Sequence, residues 1–109
     1  MAGTTPTPGG TVSPSKPVLN CVSQSYPARE LRLNNTCESP LYVEWWVGER
    51  TGNWIVPAND HVGTGFSIED IAKAGGVNIY VCPQNYVAVD SSGQHIKGAV
   101  ASYQCVLQK

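Results

Sequence analysis

Three groups of residues in this chain have types and spacings that could carry chemistry: four cysteines, a cluster of aromatics around one turn, and a few isolated histidines and carboxylates. The cysteines are Cys21, Cys37, Cys82 and Cys105, an even number spread over 109 residues without a C-x-x-C pair. That usage predicts two disulfides in an oxidising compartment, secreted, cell-surface or periplasmic. Structural zinc takes closely spaced ligand pairs, and neither His61 nor His95 lies near a cysteine in sequence, so no metal or other cofactor is expected. Four cysteines allow three pairings. Cys21 with Cys37 and Cys82 with Cys105 is the expected set, because each pair flanks one strand-turn-strand excursion that closes easily.

The aromatics are Trp45, Trp46 and Trp54 with Tyr42, Tyr80, Tyr86 and Tyr103. Flat amphipathic rings serve both cores and ligand surfaces. Trp46 precedes the polar, glycine-bearing turn Gly48 to Asn53, and Trp54 follows it. Side chains on the two limbs of such a hairpin can meet on one face, so Trp46 and Trp54 are the candidate ligand-stacking residues, with Glu44, Arg50 and Asn53 as polar neighbours. Catalysis has less to work with. His61 and His95 lie in polar, turn-rich stretches and read as surface histidines. No Gly-x-Ser-x-Gly, metal-ligand pair or phosphate-cradling loop occurs. Asp60, Glu69, Asp70 and Asp90 could in principle supply a carboxylate pair, but sequence alone does not place two of them at the separation a glycosidase needs. No residue is therefore assigned a catalytic role, and a non-enzyme is expected.

The elements that would position these residues read as β-structure. Candidate strands are Val18 to Val22, Arg29 to Asn34, Leu41 to Val47, Asn53 to Val56, Val77 to Cys82, Tyr86 to Val89 and Gly98 to Leu107, separated by turn residues such as Glu38-Ser39-Pro40, Pro57 to Asp60 and Asp90 to Gly93. One segment departs from this: Ser67 with Asp70 forms a capping box, Ile68, Ile71 and Ala72 an apolar stripe, and Gly75 a stop, predicting a short crossover helix. The fold class expected is all-β, a small antiparallel β-sandwich or barrel with one short helix and two disulfides. Alternation places Leu41, Val43, Trp45 and Val47 in the core with Leu31, Leu33, Val77, Ile79 and Val81, and turns Trp46 outward beside Glu44.

Residues 1–17 differ in composition. From Thr4 the run TTPTPGGTVSPSKP holds four of the eight prolines and one large apolar residue, Val12. Such a stretch reads as a flexible Thr/Pro/Gly-rich linker or arm preceding a β domain over 18–109. The opening MAGTTPTPGG lacks the basic start and apolar stretch of a signal peptide, so Met1 is expected to be an added start or the first residue of a trimmed fragment. A net charge of −1 with scattered lysines and arginines argues against nucleic acid as a partner. The richest apolar stretch, Leu41 to Val47, is interrupted by Glu44, which argues against membrane insertion. Asn34-Asn35-Thr36 is formally a glycosylation acceptor and is read instead as a turn before Cys37.

The run Leu33-Asn34-Asn35-Thr36-Cys37-Glu38-Ser39-Pro40-Leu41-Tyr42-Val43 resembles a motif of small bacterial secreted β domains, Asn-x-Cys-x-x-Pro before an alternating strand. Thaumatin-like proteins open with a loosely similar Asn-Asn-Cys turn, but their many other cysteines are missing here. The resemblance implies a disulfide-bearing secreted domain and adds support for a Cys21–Cys37 bond. The Thr/Pro arm resembles linkers that tether carbohydrate-binding modules or adhesion domains to larger secreted proteins. The expected function is accordingly a non-catalytic binding module for a polysaccharide or glycan surface, tethered to a larger secreted protein. The alternative is a structural or assembly subunit, a filament, coat or adhesion protein, that meets its partner through the arm or an edge strand.

Overall fold

A computed structural model describes residues 21–100 and 102–108, so the arm expected over residues 1–17 and the start of the strand expected from Val18 lie outside the described residues. The chain runs β1 (Val22–Ser25), a 3-10 turn (Pro27–Arg29), β2 (Glu30–Asn35), β3 (Leu41–Val47), β4 (Arg50–Val56), β5 (His61–Ser67), α1 (Ile68–Ala74), β6 (Asn78–Pro83), β7 (Tyr86–Val89) and β8 (Gln104–Leu107). Every strand pair is antiparallel, in sheets ordered β1-β2-β5 and β4-β3-β6 with a third pair β7-β8.

The two three-stranded sheets enclose the main core. Leu31 and Leu33 of β2 and Phe66 of β5 face Leu41, Val43, Trp45 and Val47 of β3, Val56 of β4 and Val81 of β6. Val77 and Ile79 pack at its margin. Alternation alone accounts for these positions. Gly52 makes room for Trp45, because a Cβ there would sit 2.7 Å from the indole ring.

A third layer lies on the outer side of the second sheet. Tyr80 and Cys82 point away from Val81 and join Ala88, Ile96 and Cys105 in a second core. Disulfides Cys21–Cys37 and Cys82–Cys105 form the expected pairs, the latter tying β8 to β6. β3 is therefore covered on both faces, which explains its nearly continuous apolar run.

Local signals explain several boundaries. Ser67 Oγ accepts from Asp70 N at 3.1 Å and Asp70 Oδ2 accepts from Ser67 N at 3.3 Å, while Gly75 closes α1 at φ 84°. Asn35, buried, stands at the close of β2: its Oδ1 accepts from Cys37 N at 2.9 Å, and its Nδ2 donates to the carbonyls of Ser39, Val56 and Pro57. The turn expected of the asparagine pair is thus an Asx turn made by Asn35, while Asn34 remains in the strand.

Several elements differ from expectation: β1 runs on to Ser25, and β4 begins at Arg50 rather than Asn53, because only Gly48 and Glu49 turn the hairpin. β5 was not expected, because Gly63 and Gly65 dilute its apolar pattern; pairing with β2 supplies the missing stabilisation. The last strand is shorter than Gly98 to Leu107. Tyr80 Oη donates to the Gly98 carbonyl at 2.6 Å and accepts from Val100 N at 3.2 Å, so that backbone bonds a side chain rather than a neighbouring strand.

Candidate functional site

The side of β3 that alternation turns away from the main core carries Tyr42, Glu44 and Trp46. β7, β8 and the 90–100 loop cover this side, so Glu44 is only 1% exposed. A buried carboxylate is tolerated where donors surround it. Tyr42 Oη donates to Glu44 Oε1 at 2.8 Å, Trp46 Nε1 donates to Oε2 at 2.7 Å, and His95 Nε2 lies 3.0 Å from Oε1. Burial first, then the hydrogen bond to Glu44 and its charge, hold the Tyr42 phenol well above its ordinary range. With its oxygens engaged by three side chains, Glu44 holds Tyr42, Trp46 and His95 in place rather than offering itself to a ligand.

The residues expected to form one aromatic face are divided between two. Register pairs Trp46 with Thr51, Glu44 with Asn53 and Tyr42 with Ile55, and these share the Glu44 side. Trp54 pairs with Val43 and Arg50 with Val47, which places both on the opposite side. Trp54 is 58% exposed there, and the Arg50 guanidinium lies 4.7 Å from the Phe66 ring centroid. The expected Trp46–Trp54 stacking surface is therefore corrected: a separation of eight residues across a two-residue turn puts the indoles on opposite faces. Trp46 is also half-buried against the second core rather than free in solvent. Glu44 is interior rather than a polar rim neighbour, because the third layer covers it.

Asn53, expected as a polar neighbour of a Trp46–Trp54 surface, instead borders a concave surface that neither indole lines. An open depression of about 480 Å3 is lined by Tyr42, Asn53, Ile55, Val87, His95 and Gln108. Its apolar members come from three strands, β3, β4 and β7. Its polar members, Asn53, His95 and Gln108, are all exposed, the His95 side chain at 64%. Amide groups donate and accept at once, and an imidazole can do either. The arrangement can hold a neutral, hydroxyl-rich ligand with one apolar face. No group of three or more His, Cys, Asp or Glu suited to a metal ion occurs among the described residues.

Sequence reasoning missed His95, Tyr42, Ile55, Val87 and Gln108 as site members. The only available signal was Glu44 itself, a charge inside an otherwise apolar strand that needed partners. Compared with models of known protein families, with curated proteins and with solved structures, the chain has no match.

Proposed function

We propose that this is a non-catalytic, secreted glycan-binding domain that takes a neutral oligosaccharide segment in the Tyr42–Asn53–His95 depression. The observation carrying this reading is the depression itself, whose lining joins the apolar side chains of Ile55 and Val87 to exposed Asn53, Gln108 and His95. Sugars present apolar C–H faces and alternating hydroxyls, and recognition needs a flat apolar contact with a few placed polar groups. The network around Glu44 supports the reading, because it fixes Tyr42 and His95 before a ligand arrives and lowers the ordering cost of binding. Two disulfides and the absence, among the described residues, of a helix long and apolar enough to cross a membrane fit an extracellular or periplasmic setting.

The test is retention on insoluble neutral polysaccharides, compared between the wild-type chain and Asn53→Ala. Retention lost in the variant supports the site; equal retention of both, or no retention on any polysaccharide, refutes it.

A second reading, an assembly subunit, draws on β4, an edge strand of seven residues carrying exposed Trp54 and Ile55. Unpaired strand edges with apolar side chains recruit another strand. Light scattering after size-exclusion chromatography separates the readings. Concentration-dependent self-association abolished by Trp54→Lys favours the subunit, and a monomer at all concentrations favours the module.

A further inference from the structure

The outward face of the first sheet carries a second constellation. β2 sends Leu31 and Leu33 into the core and turns Arg32 and Asn34 outward. Asn34 uses its amide on the Ser23 carbonyl and the Ser25 hydroxyl. Arg29 pairs with Glu69, and Arg50 lies over Phe66. Arg32 is half-buried, and its guanidinium has no hydrogen-bond or ion-pair partner among the described residues. A guanidinium that has lost part of its hydration and gained no carboxylate presents a free fork of donors to a planar oxyanion.

Beside it opens a depression of about 290 Å3, lined among others by Ala28, Glu30, Arg32, His61 and Gly63. The space exists because Gly63, opposite Arg32 in register, has no side chain, and because the β2–β5 register shifts between Glu30 and Arg32. Ala28, in its lining, and the next residue, Arg29, take left-handed φ values of 53° and 66°. Non-glycine residues hold such angles at a cost, and strain of this kind gathers at ligand sites. Glu30 Oε2 is fixed by the Gly65 N–H at 2.8 Å, and its carboxylate keeps further acceptor capacity.

The geometry points to a binding site for a hydroxylated carboxylate, a sugar acid of the uronate type. Arg32 takes the carboxylate in two parallel hydrogen bonds, Glu30 accepts from a ring hydroxyl, and His61 adds a polar contact. The charge of Glu30, with that of Asp60 beside His61, opposes a compact dianion such as sulfate, which holds both charges at one centre and brings no donors, and favours a single carboxylate flanked by its own hydroxyl donors. The site lies on the other sheet from the Tyr42–Asn53 depression and does not depend on the glycan reading of that surface.

The test is calorimetric titration of the full chain with digalacturonate at low salt, beside a neutral disaccharide and inorganic sulfate. Digalacturonate should bind and sulfate should not. Arg32→Gln should weaken binding by about tenfold or more, the loss of one bidentate charge-assisted contact, while Arg29→Gln should not. Gly63→Leu should weaken it comparably with every charge kept. A Cβ at Gly63 meets only Glu30 Oε2, at 3.6 Å, an ordinary contact; circular dichroism verifies that the variant folds. Asn53→Ala should leave uronate binding unchanged, which separates this site from the other depression. Absence of digalacturonate binding, equal affinity for sulfate, full binding by Gly63→Leu, or equal losses from Arg29→Gln and Arg32→Gln would each overturn the assignment.

Discussion

Replacing Glu44 by Leu removes the acceptor shared by Tyr42, Trp46 and His95 while keeping a side chain of similar bulk in the second sheet. His95 is largely exposed and turns to water at little cost. Tyr42 and Trp46 are half-buried, and each loses a hydrogen bond to a charged group, at 2.8 and 2.7 Å. At about 1–2 kcal/mol for each donor left short of a partner, and with the carboxylate's desolvation cost relieved in part, the net loss is about 2–3 kcal/mol. The same logic fixes a coupling: Tyr42→Phe should cost about 1–2 kcal/mol in the wild-type chain and close to nothing in the Glu44→Leu background. Urea denaturation at pH 7 with both disulfides intact, followed by circular dichroism and by fluorescence, measures all four corners of the cycle. A Glu44→Leu variant within about 0.5 kcal/mol of wild type, or a Tyr42→Phe cost independent of background, would show that the network does not hold this face together.

Trp45→Ala should destabilise the fold by about 3–5 kcal/mol by opening a cavity in the main core, whereas Trp54→Ala, at a 58% exposed site, should stay within about 0.5 kcal/mol of wild type; denaturation curves of the two variants check the face assignment. Asn35→Ala strands the Cys37 N–H and three carbonyls that Asn35 bonds, and should cost about 2–4 kcal/mol by the same assay. Burial raises the phenols of Tyr42, Tyr80 and Tyr103 above their ordinary value. Their contribution is therefore complete below about pH 10, where unfolded tyrosines ionise, and is lost as pH climbs through the higher native values. Stability should decline above that pH, and absorbance at the tyrosinate band should show three of the five tyrosines ionising late, together with unfolding.

Alternation in Leu41 to Val47, together with Leu31, Leu33 and Val81, was enough to locate the main core, because a two-residue period maps directly onto a sheet face. Ser67, Asp70 and Gly75 gave both ends of α1 for an equally local reason. The disulfide pairs followed from closure of short excursions. What was not legible depended on contacts distant in sequence. Nothing in Tyr42-Val43-Glu44 reveals that a strand pair some forty residues later will cover that face, so Glu44 read as surface and Trp46 as a ligand contact. The Trp46–Trp54 surface failed for a different reason: hairpin register decides which residues share a side, and Arg50 pairs with Val47 across only Gly48 and Glu49. Gly63, one of the two glycines that hide β5 from pattern reading, also leaves the space beside Arg32.

The most direct test of the glycan reading is a residue-resolved one: amide and side-chain NMR shifts of the labelled chain titrated with neutral oligosaccharides of several linkages. One series should bind, with its shifts concentrated on Tyr42, Asn53, Ile55, Val87, His95 and Gln108. Shifts centred on Trp54 and Arg50 instead, or no shifts with any neutral oligosaccharide, would contradict that reading.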